Sequence, residues 1–186
     1  MRRIFIGTLV VLTIALINGC ANRKITRVDP SETIDLSGRW NDSDSRLVSE
    51  EMIGDLLTSA WIPRYLKAND KRPVVVVGLV ENKSHEHINS ETFIKDVEKA
   101  IIRDGNIRLV VAGEKRNELR KERAEQQDYA SPETTKKWGK ELGADFILQG
   151  TINSIVDSYK KQKVVTYQID LQLTNIETNE VVWMGD

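Results

Sequence analysis

The sequence predicts a single α/β domain, a mixed sheet with flanking helices and a C-terminal antiparallel meander. Three observations predict it. Pro73–Val80 (PVVVVGLV) reads as a strand buried on both faces, the kind found centrally in α/β sheets. Before and after it lie segments whose apolar residues recur at three and four, the period of a helix lying on a core. Beyond Gly143, three strand patterns follow one another through turns short enough for hairpins. The order read along the chain is αβαβααβββ. With 186 residues, 40% hydrophobic and 30% charged, there is apolar mass for one core and scarcely room for two.

The N-terminus is set apart. Arg2 and Arg3 precede Ile4–Ile17, 14 residues that are apolar but for Gly7, Thr8 and Thr13. That is short of the roughly 20 residues a membrane-spanning helix needs, and it fits the apolar region of a secretory signal peptide. The run ends in Ile17-Asn18-Gly19-Cys20, which resembles the lipobox of bacterial lipoproteins. The resemblance implies a signal peptide over residues 1–19, lipidation of Cys20 and a membrane anchor. By the same resemblance, Ala21 rather than Asp after the cysteine implies the outer membrane.

Charge and cysteine count narrow the functions. Lys and Arg number 27 against 28 Asp and Glu, a formal net charge of −1. Losing Arg2 and Arg3 with the leader leaves 25 basic residues and a charge of −3. Nucleic-acid binding needs a basic surplus, so none is expected. One cysteine permits no intramolecular disulfide and no zinc site with two or more thiolates. Residues 20–41 lack periodicity and read as a lipidated cysteine and flexible tether, leaving 42–186 for the domain.

Within the domain, Leu47, Val48, Met52, Leu56, Leu57, Ala60 and Trp61 form one helical stripe. Asp42, Ser43 or Asp44 can cap its start, and Pro63 should end or kink it. After the valine strand, Ser90 opens a helix with Phe93, Ile94, Val97, Ala100 and Ile101 facing inward, and Gly105 closes it. Arg108–Ala112 is a second strand. Glu114–Gln127 is a charged helix with Leu119 as its main apolar contact, expected to be laced with ion pairs along its surface. Ser131-Pro132-Glu133 reads as a helix start, with Trp138 and Leu142 on that helix and Gly143 at its end. Ala144–Ile155, Val164–Ile176 and Val181–Trp183 are the three closing strands, with turns at Asp157–Gln162 and Glu177–Glu180. Tyr167, Ile169, Leu171 and Leu173 alternate with polar residues, which gives the middle strand one wet face. Trp183 is expected to pack on the sheet or on the helix bearing Trp138.

No phosphate-cradling glycine motif occurs. His85 and His87 would share one face of an extended loop and could grip a metal. They lack HExxH spacing and a fixed third ligand, so no metal is expected. Ser158-Tyr159-Lys160-Lys161 matches S-x-x-K, the nucleophile motif of penicillin-reactive serine enzymes, but the partner motifs K-T-G and S-D-N are missing. No acid–base or nucleophile constellation emerges, and neither an enzyme nor a cofactor is expected.

Three segments carry a resemblance to a known family. Lys137–Gly150 (KWGKELGADFILQG) resembles the helix–GAD–strand–G segment of the penicillin-binding-protein activator LpoB family. Val76–Asn82 resembles that family's first strand, and Thr178–Gly185 (TNEVVWMG) its closing hairpin, with Asn179 where glycine is common. Related folds occur in the CsgG family of curli export and in the N-terminal domain of TolB. The resemblance implies an outer-membrane lipoprotein, facing the periplasm and monomeric, that activates a class A penicillin-binding protein in peptidoglycan synthesis. The alternative it implies is a CsgG-like accessory of secretion or surface-fibre assembly. The docking surface for a synthase is expected to be polar and preformed. Candidates are the loop after the first strand, with Asn82, His85 and His87, and the charged helix, with Arg116, Arg120 and Arg123.

Overall fold

The computed structural model describes residues 38–136 and 140–186, which lie in one compact unit. Cys20, the leader, most of the tether and Trp138 fall outside the described residues. The elements are α1 (Asp42–Thr58), α2 (Trp61–Asn69), β1 (Val74–Asn82), α3 (Ser90–Asp104), β2 (Arg108–Val110), α4 (Gly113–Tyr129), β3 (Phe146–Tyr159), β4 (Gln162–Asn175) and β5 (Val181–Gly185). They build one mixed sheet in the order β2-β1-β3-β4-β5. β1 runs parallel to β2 and β3, and β3, β4 and β5 form the antiparallel meander.

The core lies between one sheet face and helices α1, α2 and α3. Val75, Val77 and Val80 of β1 join Phe146, Leu148, Ile152, Ile169, Leu171, Leu173 and Trp183 in it. From the helices come Met52, Ile53, Leu56, Trp61, Phe93, Val97 and Ile101. A bulge between Val77 and Val80 shifts the register of β1 against β3 and returns Val80 to the core face. The doubly buried character of β1 therefore holds for Val74–Val77 and stops there, since Leu79 and Glu81 are exposed.

Several expectations are corrected. The first helix breaks at Ser59–Ala60, and Pro63 sits in the first turn of α2, where its missing N–H has no helical partner to lose. The cap of α1 is Asn41, whose side chain accepts from the Ser43 and Asp44 amides while Asp44 returns a bond to the Asn41 amide. Leu47 is exposed, and the buried face of α1 carries Ser45 and Ser49 instead. Residues 131–136 form a turn in which the Thr134 and Thr135 amides both donate to the Ser131 carbonyl, and 140–144 hold no regular structure. The packed unit also takes in Trp40, read from sequence as tether. Its ring meets Phe93 and Tyr167 edge-on, and its amide donates to the Tyr167 hydroxyl at 3.1 Å.

The family-like motifs turn out to be folding motifs. Asp145 Oδ2 accepts from the Val74 amide at 2.9 Å and Oδ1 from Lys71 Nζ at 3.2 Å, which fastens the start of β1 to the start of β3. Burial would raise this carboxyl, but the neighbouring Tyr65 hydroxyl, the Val74 amide and Lys71 outweigh burial and hold it below its ordinary range. Gly150 admits no side chain, because a Cβ there would stand 2.1 Å from the Asp170 carbonyl oxygen. Asn179 has φ 60°, the left-handed conformation that glycine and asparagine tolerate best. Trp183 is buried, and its Nε1–H donates to Asp55 Oδ2 on α1 at 2.8 Å.

Candidate functional site

The loop after β1 is organised by Asn82. Its Nδ2 donates to the Glu86 carbonyl at 2.8 Å and the Ile88 carbonyl at 3.2 Å, and its Oδ1 accepts from the Ser84 amide and hydroxyl. With donors and acceptor engaged inside the loop, Asn82 shapes the loop and presents little to a partner. His85 reaches across to β3: its amide donates to Ser154 Oγ at 2.9 Å, and its Nδ1 lies 2.6 Å from the same oxygen. Among the described residues no carboxylate hydrogen-bonds the His85 ring as the third group that would orient a catalytic base. The contact is a brace. His87 is exposed. Together with Arg39, Glu86, Val156, Lys163 and Val165, the two histidines line a shallow pocket of about 260 Å³. Among the described residues no three His, Cys, Asp or Glu side chains gather as a metal site.

Helix α4 buries no residue, and Leu119 is 48% exposed rather than the apolar contact expected of it. What ties the helix down is polar: arginines along it and, at its end, Gln126 Oε1 accepting from the Lys136 amide and Gln127 Nε2 donating to the Lys136 carbonyl. Arg116 Nε donates to the Val111 carbonyl at 2.8 Å. Arg120 grips Glu141 with two bonds, at 3.0 and 2.9 Å, and Arg123 adds a third at 2.7 Å. These hydrogen bonds from Arg120 and Arg123 pull the Glu141 carboxyl down to about 2. Two of the three arginines read from sequence as docking cations therefore already hold an acid of their own chain.

A third surface was not legible as one. β3 pairs with β1 only as far as Ile152, and β4 pairs with β5 only from Leu171 onward. The β3–β4 ladder runs on alone for seven pairs, from Asn153↔Gln168 to Tyr159↔Gln162. At about 3.4 Å per residue this is an arm of roughly 20 Å. Residues directly opposite share a face, so Ile155, Asp157 and Tyr159 lie beside Gln162, Val164 and Thr166. Ile155 is 60%, Tyr159 70% and Val164 61% exposed. The turn is Lys160-Lys161, with Lys160 at φ 54° and its Nζ over the Tyr159 ring. Sequence reading placed a turn across 157–162, because the alternation there passes through polar residues. The signal that could have found the arm is the length of the two strand patterns, beyond what a small five-stranded sheet needs.

Comparison with known proteins gives one decisive match: the model of the family described as "Peptidoglycan-synthase activator LpoB" matches residues 44–186. Among solved structures, the LpoB C-terminal domain from Escherichia coli is similar at 16% identity, over 77% of this chain and 93% of that one, with a TM-score of 0.43. The LpoB C-terminal domain from Salmonella enterica is 18% identical over 67% of this chain and 88% of that one, with a TM-score of 0.35. The solution structure of E. coli LpoB is 12% identical over 91% and 83%, with a TM-score of 0.40. No curated protein matches the chain.

Proposed function

The chain belongs to the LpoB family of peptidoglycan-synthase activators, and from that premise we propose that it is a lipoprotein of the outer membrane that binds and activates a class A penicillin-binding protein. The observation that carries this reading is the family match over residues 44–186, which takes in the whole described sheet and the described helices from the third residue of α1 onward. Cys20, after an apolar leader, supplies the anchor, with residues 1–19 as the signal peptide and 20–41 as the tether. Among the described residues no helix is long and apolar enough to cross a membrane. The tether reaches at most roughly 70 Å when fully extended.

Activation of this kind needs no chemistry from the activator. Docking on the synthase shifts the synthase between conformations, by no more than the difference in affinity for the two. The Ser154–His85 brace and the Arg120–Arg123–Glu141 cluster fit a rigid module that presents preformed surfaces.

A pull-down from membranes with the full chain tests the reading. A class A penicillin-binding protein should be retained on the chain, and capture of secretion-pore components in its place would contradict it. Mass spectrometry tests the anchor: Cys20 should carry acyl chains, and Cys20→Ser should leave a precursor with its leader uncut. An unmodified Cys20 thiol in the mature protein ends that part of the proposal.

A further inference from the structure

We propose that the free end of the β3–β4 arm is the element that docks on the synthase, with Ile155, Tyr159 and Val164 entering an apolar depression and Lys160 and Lys161 meeting carboxylates at its rim. The inference rests on the synthase reading and adds to it the surface and the chemistry of its partner.

The arm is costly to maintain unless it has a use. A two-stranded ribbon in water is marginal by itself, because neither strand has a third neighbour. Of the seven ladder pairs beyond the last pairing with β1 or β5, only the root contributes to the core, through Tyr167, and the five pairs from Ile155↔Thr166 outward extend the sheet past it. The molecule also braces the root of the arm. The loop after β1, stiffened by Asn82, delivers His85 to Ser154, the second residue of the unaccompanied stretch of β3. A brace at the root keeps the arm preformed, which lowers the ordering cost of docking.

The side chains on the arm divide into two groups. Lysines at a hairpin end have a plain explanation: they guard exposed strand edges against pairing with other chains. That explanation does not reach Ile155, Tyr159 and Val164. These three share one face, are each 60% or more exposed, and have Asp157, Gln162 and Thr166 as their neighbours on that face. Solvent alone would favour threonine or charge at such positions. An aromatic residue and two β-branched residues in a cluster, flanked by cations, have the composition of an interface centre with a charged rim.

Charge selects the partner. From Asp157 to Lys163 the arm carries three lysines and one aspartate, in a chain whose total is −1. None of the ion pairs among the described residues involves Lys160, Lys161 or Lys163. By contrast Arg120 and Arg123 on α4 both hold Glu141 of the same chain. The arm therefore gathers three cations outside those ion pairs at one tip, whereas on α4 Arg120, Lys121 and Arg123 already contact an acid and only Lys115 and Arg116 do not. The occupant is a protein surface with an apolar slot bordered by Asp and Glu, carried by the synthase.

The test measures binding of the full chain, in detergent, to a purified class A synthase of the same organism. Two double variants are compared: Ile155→Thr with Val164→Thr, which keeps β-branched residues in the strands, and Lys160→Glu with Lys161→Glu. Leu119→Ala on α4 is the control. Each arm variant should weaken binding about ten-fold or more, and the lysine loss should shrink as salt is raised. Melting temperature should stay within a degree or two. Should the apolar variant melt earlier, the lysine variant decides, since it touches no core residue. Wild-type affinity in both arm variants would overturn the inference and leave the synthase reading standing. Failure of the unaltered chain to bind any class A synthase would overturn both. Loss of binding to phosphatidylglycerol vesicles, or of self-association, with synthase binding intact would also overturn it, by assigning the arm to lipid or to a second copy.

Discussion

Helices α3 and α4 are the two crossovers of the sheet, similar in length at 15 and 17 residues, and they solve opposite problems. α3 carries Phe93, Val97 and Ile101 at a spacing of four and buries all three completely. It is capped at both ends, by the Asn89 side chain on the Glu91 amide and by Gly105 at φ 77°. α4 has no side-chain N-cap, no buried residue and no apolar stripe, and is held by arginines on a backbone carbonyl and on Glu141. The difference shows two ways of fixing a helix. One way removes apolar area from water, at about 25 cal/mol per Å². The other matches surface charges whose worth is small and salt-dependent. A module that must fold before it docks can vary the second kind of helix freely, but not the first.

Truncation should separate the two sharply. Phe93→Ala should cost about 3–5 kcal/mol, because the ring is fully buried between α1, Trp40 and the sheet. A thermal or urea melt should show the domain unfolded or nearly so, and a shift of only a degree or two would place Phe93 outside the core. Trp183→Phe comes next. It keeps the apolar bulk but removes the bond from Nε1 to Asp55, for a loss of about 1 kcal/mol by urea melt. An unchanged midpoint would mean that the bond linking β5 to α1 contributes nothing.

The Glu141 cluster gives a pH signature and a small effect on stability. Its carboxyl titrates lower in the folded chain, at about 2, than in the unfolded one, near 4.5. The unfolded state therefore binds the proton first, so the contribution is complete above about pH 4.5 and is lost as pH falls toward 2. Carbon NMR of the Glu141 carboxyl should give a midpoint near 2, and a midpoint near 4.5 would dissolve the cluster. The smallest effect is expected from Leu119→Ala, within about 0.5 kcal/mol of wild type. A loss as large as that of Phe93→Ala would erase the contrast between the helices.

How much of this was legible follows from where each signal lies in the chain. α3 could be read almost to the residue, since its apolar period and its Gly105 stop are local. α1 could not, because Ser45 and Ser49 occupy buried positions where the pattern demands apolar residues. Ser45 Oγ donates to Asp96 on α3 at 2.9 Å, a partner 51 residues away. The Ser131-Pro132 start signal is real chemistry spent on a turn over 131–136, where the Ser131 carbonyl accepts from the Thr134 and Thr135 amides.

The candidate site was less legible than the fold. Asn82 and His85 were picked for polarity, but their roles depend on the loop closing on itself and on Ser154, 69 residues on. Arg120 and Arg123 stand out in the sequence for charge, and the acid they share is 21 and 18 residues away. The arm escaped because periodicity reports which residues alternate, and does not report where the neighbouring strands stop.

The central claim is that this chain raises the activity of a peptidoglycan synthase, and glycan polymerisation measures it most directly. The full chain, in detergent, is added to a purified class A penicillin-binding protein of the same organism, and glycan strand formation from lipid-linked precursor is followed over time. The rate should rise with the concentration of the chain and saturate, and Lys160→Glu with Lys161→Glu should shift that saturation to higher concentration. A rate unchanged at saturating chain, with every class A synthase of the organism, would contradict the account.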